Sequence, residues 1–378
     1  MRPAVLAPAV LAVVVTGFAV RPVARDLRAA GLLLRFSDPS ATGVLASLAG
    51  HEVLERDWSF ERGGATIPAR LYEPRGVGDA PALVLLHGVH PLGLAEPRLQ
   101  RFARAFAAAG FTVMTPELAG LAAFRIEPES VATIGAACAA LRASRGRPVG
   151  LMGLSFAGGL ALLAAADPRV APDLGYVVAI GAHDDLLRVL RFYATGEAPR
   201  PDGGVDHLKP HDYGPAVLVY AHAEDFFAPA ELPAARESLA AWLHEDEPGA
   251  RAAAARLTGA ARQLVVALLD RDVHAVAAPL LAELERPEAR PVTAAVSPHG
   301  RLHGLTVPTF LLHGAGDVVV PAAETRWLAR EVPSAALRDV LVSPALVHVE
   351  LGAVSRLDEL RLVRFLGGVL AAAEAATR

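Results

Sequence analysis

From Pro81 to Ile180 the chain alternates short, unbroken apolar runs with longer helical patterns, and this rhythm restricts the fold more than any other feature. Pro81-Ala82-Leu83-Val84-Leu85-Leu86 carries no polar position, as a strand covered on both faces requires. Phe111-Thr112-Val113-Met114, Pro148-Val149-Gly150-Leu151-Met152 and Leu174-Gly175-Tyr176-Val177-Val178-Ala179-Ile180 repeat the pattern, with helical periodicity over 97–110, 129–144 and 156–166 between them. Strand and helix in alternation predict a mostly parallel sheet clad in helices, an α/β architecture.

The flanks refine that prediction. Residues 51–73 alternate around Gly63-Gly64, with Val53, Leu54 and Trp58 before the turn and Ile67, Ala69, Leu71 and Tyr72 after it, which predicts antiparallel strands at a sheet edge. After Gly181 the rhythm breaks. Residues 184–305 hold a loop-rich stretch at Pro199-Arg200-Pro201 and Gly203-Gly204, then helical patterns over 231–243 and over Ala250–Leu268, so an inserted, largely helical cap is expected there. The sheet resumes at Val307-Pro308-Thr309-Phe310-Leu311-Leu312, followed by a helix over 322–331, a strand over Leu337–Val342 and a helix over 357–374. The expected organisation is an apolar anchor or signal segment at 1–24, a linker at 25–50, a core of 51–183 with 306–378, and a cap of 184–305.

Size and composition bound the function. With 378 residues, of which 53% are hydrophobic and 20% charged, the chain can bury one large core with an added subdomain. Its formal charge of -4 is small and its arginines are scattered, which argues against a nucleic-acid surface. Cys138 is the sole cysteine, so neither an intrachain disulfide nor a multi-cysteine zinc site is available, and its small-residue helical setting predicts a buried structural thiol. His207, His211 and Asp212, and likewise His222, Glu224 and Asp225, lie close in sequence without an established ligand pattern, so no metal or other cofactor is expected.

Residues Ala4–Val20 are almost wholly apolar, with Arg2 before them and Arg21, Arg25 and Arg28 after. At 1.5 Å per residue such a stretch covers roughly 25 Å, near the lower limit for a bilayer core of about 30 Å. A single N-terminal membrane anchor is the leading expectation. Gly17-Phe18-Ala19 offers a signal cleavage site as one alternative, which would make the protein secreted or periplasmic, and a buried or surface-packed apolar segment is the other. Leu32-Leu33-Leu34 is too short for a second span and is expected on the membrane interface or packed against the domain.

The chemistry centres on Gly153-Leu154-Ser155-Phe156-Ala157, placed between the strand ending at Met152 and the helix behind it. A serine on such a turn is exposed at the carboxyl edge of the sheet, but its hydroxyl is a weak nucleophile and needs a base, with an anion to orient that base. Asp317 follows a later strand and His348 follows the strand at 337–342, giving the chain order serine, acid, histidine. Catalytic roles are therefore expected for Ser155, Asp317 and His348, with oxyanion donors from the backbone amides of Phe156 and Val89. His90, His299 and His303 compete for the base, but all three precede the acid. Asp184 and Asp185 compete for the acid because they follow the strand ending at Ile180.

These pieces resemble the α/β-hydrolase superfamily, especially bacterial esterase-like and dienelactone-hydrolase-like members with a cap insertion. The matching segments are Leu85-Leu86-His87-Gly88, Gly153-Leu154-Ser155-Phe156-Ala157-Gly158-Gly159, Leu312-His313-Gly314-Ala315-Gly316-Asp317 with Pro321, and His348, and the likeness extends over residues 51–374. Ala157 departs from it, standing where the family usually has glycine. The resemblance implies a serine hydrolase that cleaves a carboxylic ester or related small-molecule acyl substrate through an acyl-enzyme. A peptidase or thioesterase of the same fold is the enzyme alternative, and a noncatalytic membrane-associated binding protein is the alternative from another class.

Overall fold

The structure, a computed structural model, describes residues 6–347, 350–351 and 355–377. Two helices, α1 (Leu6–Ser37) and α2 (Val44–Ser47), precede the sheet. The strands β1 (Val53–Arg62), β2 (Ala65–Pro74), β3 (Ala82–Leu86), β4 (Thr112–Pro116), β5 (Val149–Leu154) and β6 (Leu174–Ile180) then alternate with α3 (Pro97–Ala108), α4 (Ala119–Ala122), α5 (Pro128–Arg145) and α6 (Phe156–Ala166). An insertion follows, made of α7 (Leu186–Thr195), the hairpin β7 (Glu197–Pro199) and β8 (Val205–His207), and the helices α8 (Tyr213–Ala221), α9 (Ala223–Phe226), α10 (Leu232–Leu243), α11 (Glu247–Ala254), α12 (Gly259–Leu269), α13 (Val273–Leu284) and α14 (Ala289–Ala295). The core closes with β9 (Thr309–Gly314), α15 (Ala323–Glu331), β10 (Leu337–Ser343), the short pair β11 (Leu346–Val347) and β12 (Glu350–Leu351), and α16 (Arg356–Ala376).

Eight strands form one sheet in the order β1-β2-β4-β3-β5-β6-β9-β10. β1 and β2 pair antiparallel, β2 meets β4 antiparallel, and every other neighbour is parallel. This is the α/β-hydrolase fold with a helical cap. All residues of β3, β5 and β9 are buried; β3 and β5 accordingly read as unbroken apolar runs, while β9 carries the buried polar residues Thr309 and His313 at its ends. Side chains of α5, α6 and α15 fill one face, continuous with the cap interior, while α1, α3 and α16 cover the other. α6 is apolar on every side because it lies wholly inside, with only Ala166 less than fully covered. Cys138 is buried among these side chains, and burial pushes its thiol pKa far up.

Two expectations need correction. Residues 25–50 are no linker: α1 runs on to Ser37, and Ala29, Leu32 and Phe36 are buried against the sheet side formed by α3 and α16. Phe36 meets Phe102 edge-on at 4.9 Å, and Arg25 and Arg28 both pair with Glu374. Among the described residues no helix is long and apolar enough to cross a membrane, so the spanning anchor expected in residues 1–24 finds no support there. The helical pattern over Ala250–Leu268 is also two helices rather than one. Thr258 is extended at φ -129° and Gly259 takes φ 49°, so the chain turns between α11 and α12 while Leu257 and Leu264 still reach a common interior.

Candidate active site

Ser155 stands between β5 and α6 with φ 55° and ψ -134°, a conformation that costs a non-glycine residue about 1–3 kcal/mol. The surroundings enforce it. The Ser155 N–H donates to the Ile180 carbonyl at 2.7 Å, and the Gly158 N–H closes the turn on the Ser155 carbonyl at 2.8 Å. Gly153 is required by proximity, since a Cβ there would lie 2.3 Å from the Ala157 carbonyl oxygen. Ala157 itself is an interior helical position without strained dihedrals, so its methyl group is accommodated. Ser155→Gly should relieve the backbone strain; its thermal unfolding, compared with that of Ser155→Ala, is expected to show a gain of about 1–2 kcal/mol after the entropy cost of glycine. Equal stability of the two variants would show that the turn stores no more strain than glycine's entropy cost offsets, about 0.4–1 kcal/mol.

Asp317 follows β9 and is buried. Its Oδ1 accepts from the Val319 and Val320 N–H groups at 2.8 and 3.0 Å, which fixes the carboxylate, and its Oδ2 lies 3.5 Å from His313 Nε2. Gly181 separates it from the serine: a Cβ at Gly181 would stand 3.6 Å from Asp317 Oδ2 and 3.9 Å from Ser155 Cα. The structure therefore brings Ser155 and Asp317 to one edge of the sheet. His348, the expected base, lies outside the described residues. β10, which precedes it, runs parallel to β9 with Ser343 opposite Gly314, so the chain leaves β10 at the edge that bears Asp317.

The competing acids are committed elsewhere. Asp185 caps α7 by accepting from the Leu187 and Arg188 N–H groups. Asp184 Oδ2 accepts from Arg188 Nη2 at 2.8 Å and faces His299 Nδ1 at 3.1 Å; burial raises its pKa to about 6 against the pull of Arg188. His299 also approaches Glu331 at 3.1 Å. Donor atoms of Asp184, His299 and Glu331 fall within 4.8 Å of one another, the spacing of a cation site, but Arg188 already occupies the Asp184 oxygen. We read this group as an ionic clasp. It sits where the cap leaves and rejoins the core: the His299 N–H donates to the Asp184 carbonyl, His183 Nε2 bonds the Val296 carbonyl, and the Leu186 N–H donates to Ser297 Oγ.

His87 orders the loop after β3, an arrangement that the sequence did not disclose. Its Nε2 accepts from the Leu118 N–H at 3.0 Å, so the proton resides on Nδ1 and is donated to the Gly88 carbonyl at 2.8 Å. Burial holds the ring's pKa down, which keeps it neutral. The bond fixes the plane of the Gly88–Val89 peptide and therefore the opposite direction of the Val89 N–H. Gly88 keeps this loop close to the nucleophile, since a Cβ there would lie 3.3 Å from Ser155 Cβ. From the cap, Tyr213 Oη lies 3.5 Å from the Val89 carbonyl oxygen.

Val89, Ser155 and Phe156 border one cavity of about 620 Å³ beneath the cap, within the usual range for a small-molecule site. Phe156 is the first residue of α6, so its N–H is among the groups that an α-helix leaves without an internal partner. A smaller space of about 80 Å³ is bordered by Ser155, the loop after β3, and Leu33 and Phe36 of α1.

No family model matches this chain, and no curated protein matches its sequence. Solved structures do show likenesses. An acylaminoacyl peptidase from Pyrococcus horikoshii matches at 10% identity and a TM-score of 0.42, covering 77% of this chain and 37% of its own. This chain thus spans little more than a third of that protein. An esterase domain from Rhodothermus marinus matches at 16% identity and TM-score 0.43, covering 84% of this chain and 97% of its own. Brefeldin A esterase, a bacterial homologue of human hormone-sensitive lipase, matches at 18% identity and TM-score 0.41, covering 95% of this chain and 83% of its own. Similarity this distant leaves function to the site's own geometry.

Proposed function

We propose that the protein is a serine hydrolase that cleaves carboxylic esters or related acyl compounds. The observation that carries this reading is Ser155, held at positive φ on the strand-to-helix turn, in the wall of a cavity, with the buried Asp317 carboxylate across Gly181. In this mechanism Ser155 Oγ attacks the acyl carbon and His348 takes the hydroxyl proton. Asp317 holds the imidazole in the tautomer that accepts it. The amides of Val89 and Phe156 donate to the oxyanion of the tetrahedral intermediate. Its collapse breaks the bond to the leaving oxygen, which departs with the proton returned by His348. Water then adds to the acyl-enzyme, giving its proton to His348, and release of the acid restores the serine hydroxyl.

The noncatalytic alternative predicts a blocked cleft or a separated Ser155, Asp317 and His348; Ser155 borders a cavity, which speaks against the first, and His348 lies outside the described residues. Incubation with a fluorophosphonate, followed by mass spectrometry and hydrolysis of p-nitrophenyl esters of graded chain length, tests the assignment. Labelling at Ser155 with turnover supports it; an unlabelled protein inert towards every ester overturns it.

His87 acts here as a positioning residue. His87→Ala is expected to lower kcat roughly 10- to 100-fold with little change in KM, because a donor aimed at the oxyanion works only when held in place. His87→Asn, which retains a donor, should recover part of the loss. An unchanged kcat in a folded His87→Ala protein would remove the residue from this role.

A further inference from the structure

The cavity wall carries a charge pattern that bears on which acyl compound enters, an inference that rests on the hydrolase reading. Near Ser155 the lining is apolar and aromatic, with Phe124, Phe156, Tyr193 and Tyr213 among its walls. Burial pushes both phenols' pKa values well up, so those rings stay uncharged. The cap adds four carboxylates to the same lining: Asp225 on α9, Glu245 after α10, Glu283 on α13 and Glu288 after it. Two guanidiniums oppose them, and both are matched. Arg98 bonds Glu96 at 2.7 Å, while Arg286 bonds Glu283 at 3.0 Å and Asp225 at 3.3 Å, with Glu288 at 3.9 Å.

Acid therefore exceeds base along the cap portion of the cavity, with Asp225, Glu245 and Glu288 exposed to solvent and Glu283 partly buried, so a field of one sign is set where the apolar walls meet water and is open to screening. Aromatic faces add to the attraction for a cation entering between them. Among the described lining residues, a carboxylate or phosphate on the substrate would meet only arginines already paired with carboxylates and the imidazoles of His90, His211 and His222, the last of them 3.8 Å from Asp225. At about 30 Å³ for each water-sized group, the volume accommodates on the order of twenty non-hydrogen atoms.

We propose that the cap cavity selects esters with an apolar body of that size bearing a cationic group, over neutral isosteres and most strongly over anionic ones.

The test has a binding arm and a kinetic arm. Ser155→Ala protein is titrated by calorimetry with hexyltrimethylammonium, 1-hexanol and heptanoate, and the unsubstituted protein is assayed with three esters of matched length bearing trimethylammonium, methyl or carboxylate ends. Affinity and kcat/KM are expected to fall in that order, with roughly tenfold or more between cation and anion at low ionic strength. The gap should contract as salt rises from about 20 mM to about 500 mM, as screening requires. The double variant Asp225→Asn, Glu283→Gln leaves Arg286 less opposed and should bring the cationic and anionic ligands to within about threefold of each other; the salt series on the unsubstituted protein supplies the same information if that variant does not fold. Equal or reversed preference overturns the proposal while turnover of the neutral ester leaves the hydrolase assignment standing. Charge-selective binding without any turnover supports the cavity's preference and overturns the hydrolase assignment instead.

Discussion

Ser155→Ala should abolish fluorophosphonate labelling and lower kcat for any accepted ester by roughly four orders of magnitude or more, with the fold unchanged. The expectation is severe because every covalent step of the proposed cycle passes through one oxygen. The rest of the site stays in place: the backbone bonds from Ser155 to Ile180 and from Gly158 to Ser155 do not involve the hydroxyl, and alanine accepts the same dihedrals at similar cost. Residual activity within tenfold of the original, measured on protein free of host esterases, would show that another group performs the attack.

The second large effect is expected from Asp317→Asn, which should reduce kcat by roughly 10⁴ while altering the melting temperature little. An asparagine Oδ1 can still accept from the Val319 and Val320 N–H groups, so the turn after β9 is preserved. The negative charge is lost, and with it the means of stabilising an imidazolium and of selecting the imidazole tautomer. Asp317→Ala would remove the turn's acceptor as well and is expected to be less stable. The decisive comparison is with Asp184→Asn: if that variant loses turnover and Asp317→Asn keeps more than a tenth of it, the acid has been misassigned. The clasp around Asp184, with Arg188, His299 and Glu324, argues for the opposite outcome.

Much of this architecture was legible in the residues because burial on two faces leaves a strand few polar positions. β3, β5, β6 and β9 announced themselves in this way, and their ends located Ser155 and Asp317. Local pattern failed where meaning depends on contacts distant along the chain. α1 hides its amphipathic second half behind a run of apolar residues, so Ala29, Leu32 and Phe36 read as a linker although their spacing suits a helix packed on one side. The break between α11 and α12 rests on one glycine inside an otherwise periodic stretch. Asp184 and Arg188, His299, and Glu324 and Glu331 come from three separate segments, and only the fold shows that they meet. The role of His87 required knowing which groups face its two ring nitrogens.

The bond from the His299 N–H to the Asp184 carbonyl, 3.0 Å long, brings the two ends of the insertion together, and Trp327 and Arg330 on α15 tie its hairpin down by donating to the Pro199 and Pro201 carbonyls. Side chains of the sheet's helices and of the roof share one packed interior, so a change in the roof's outline is transmitted to the turn that carries Ser155.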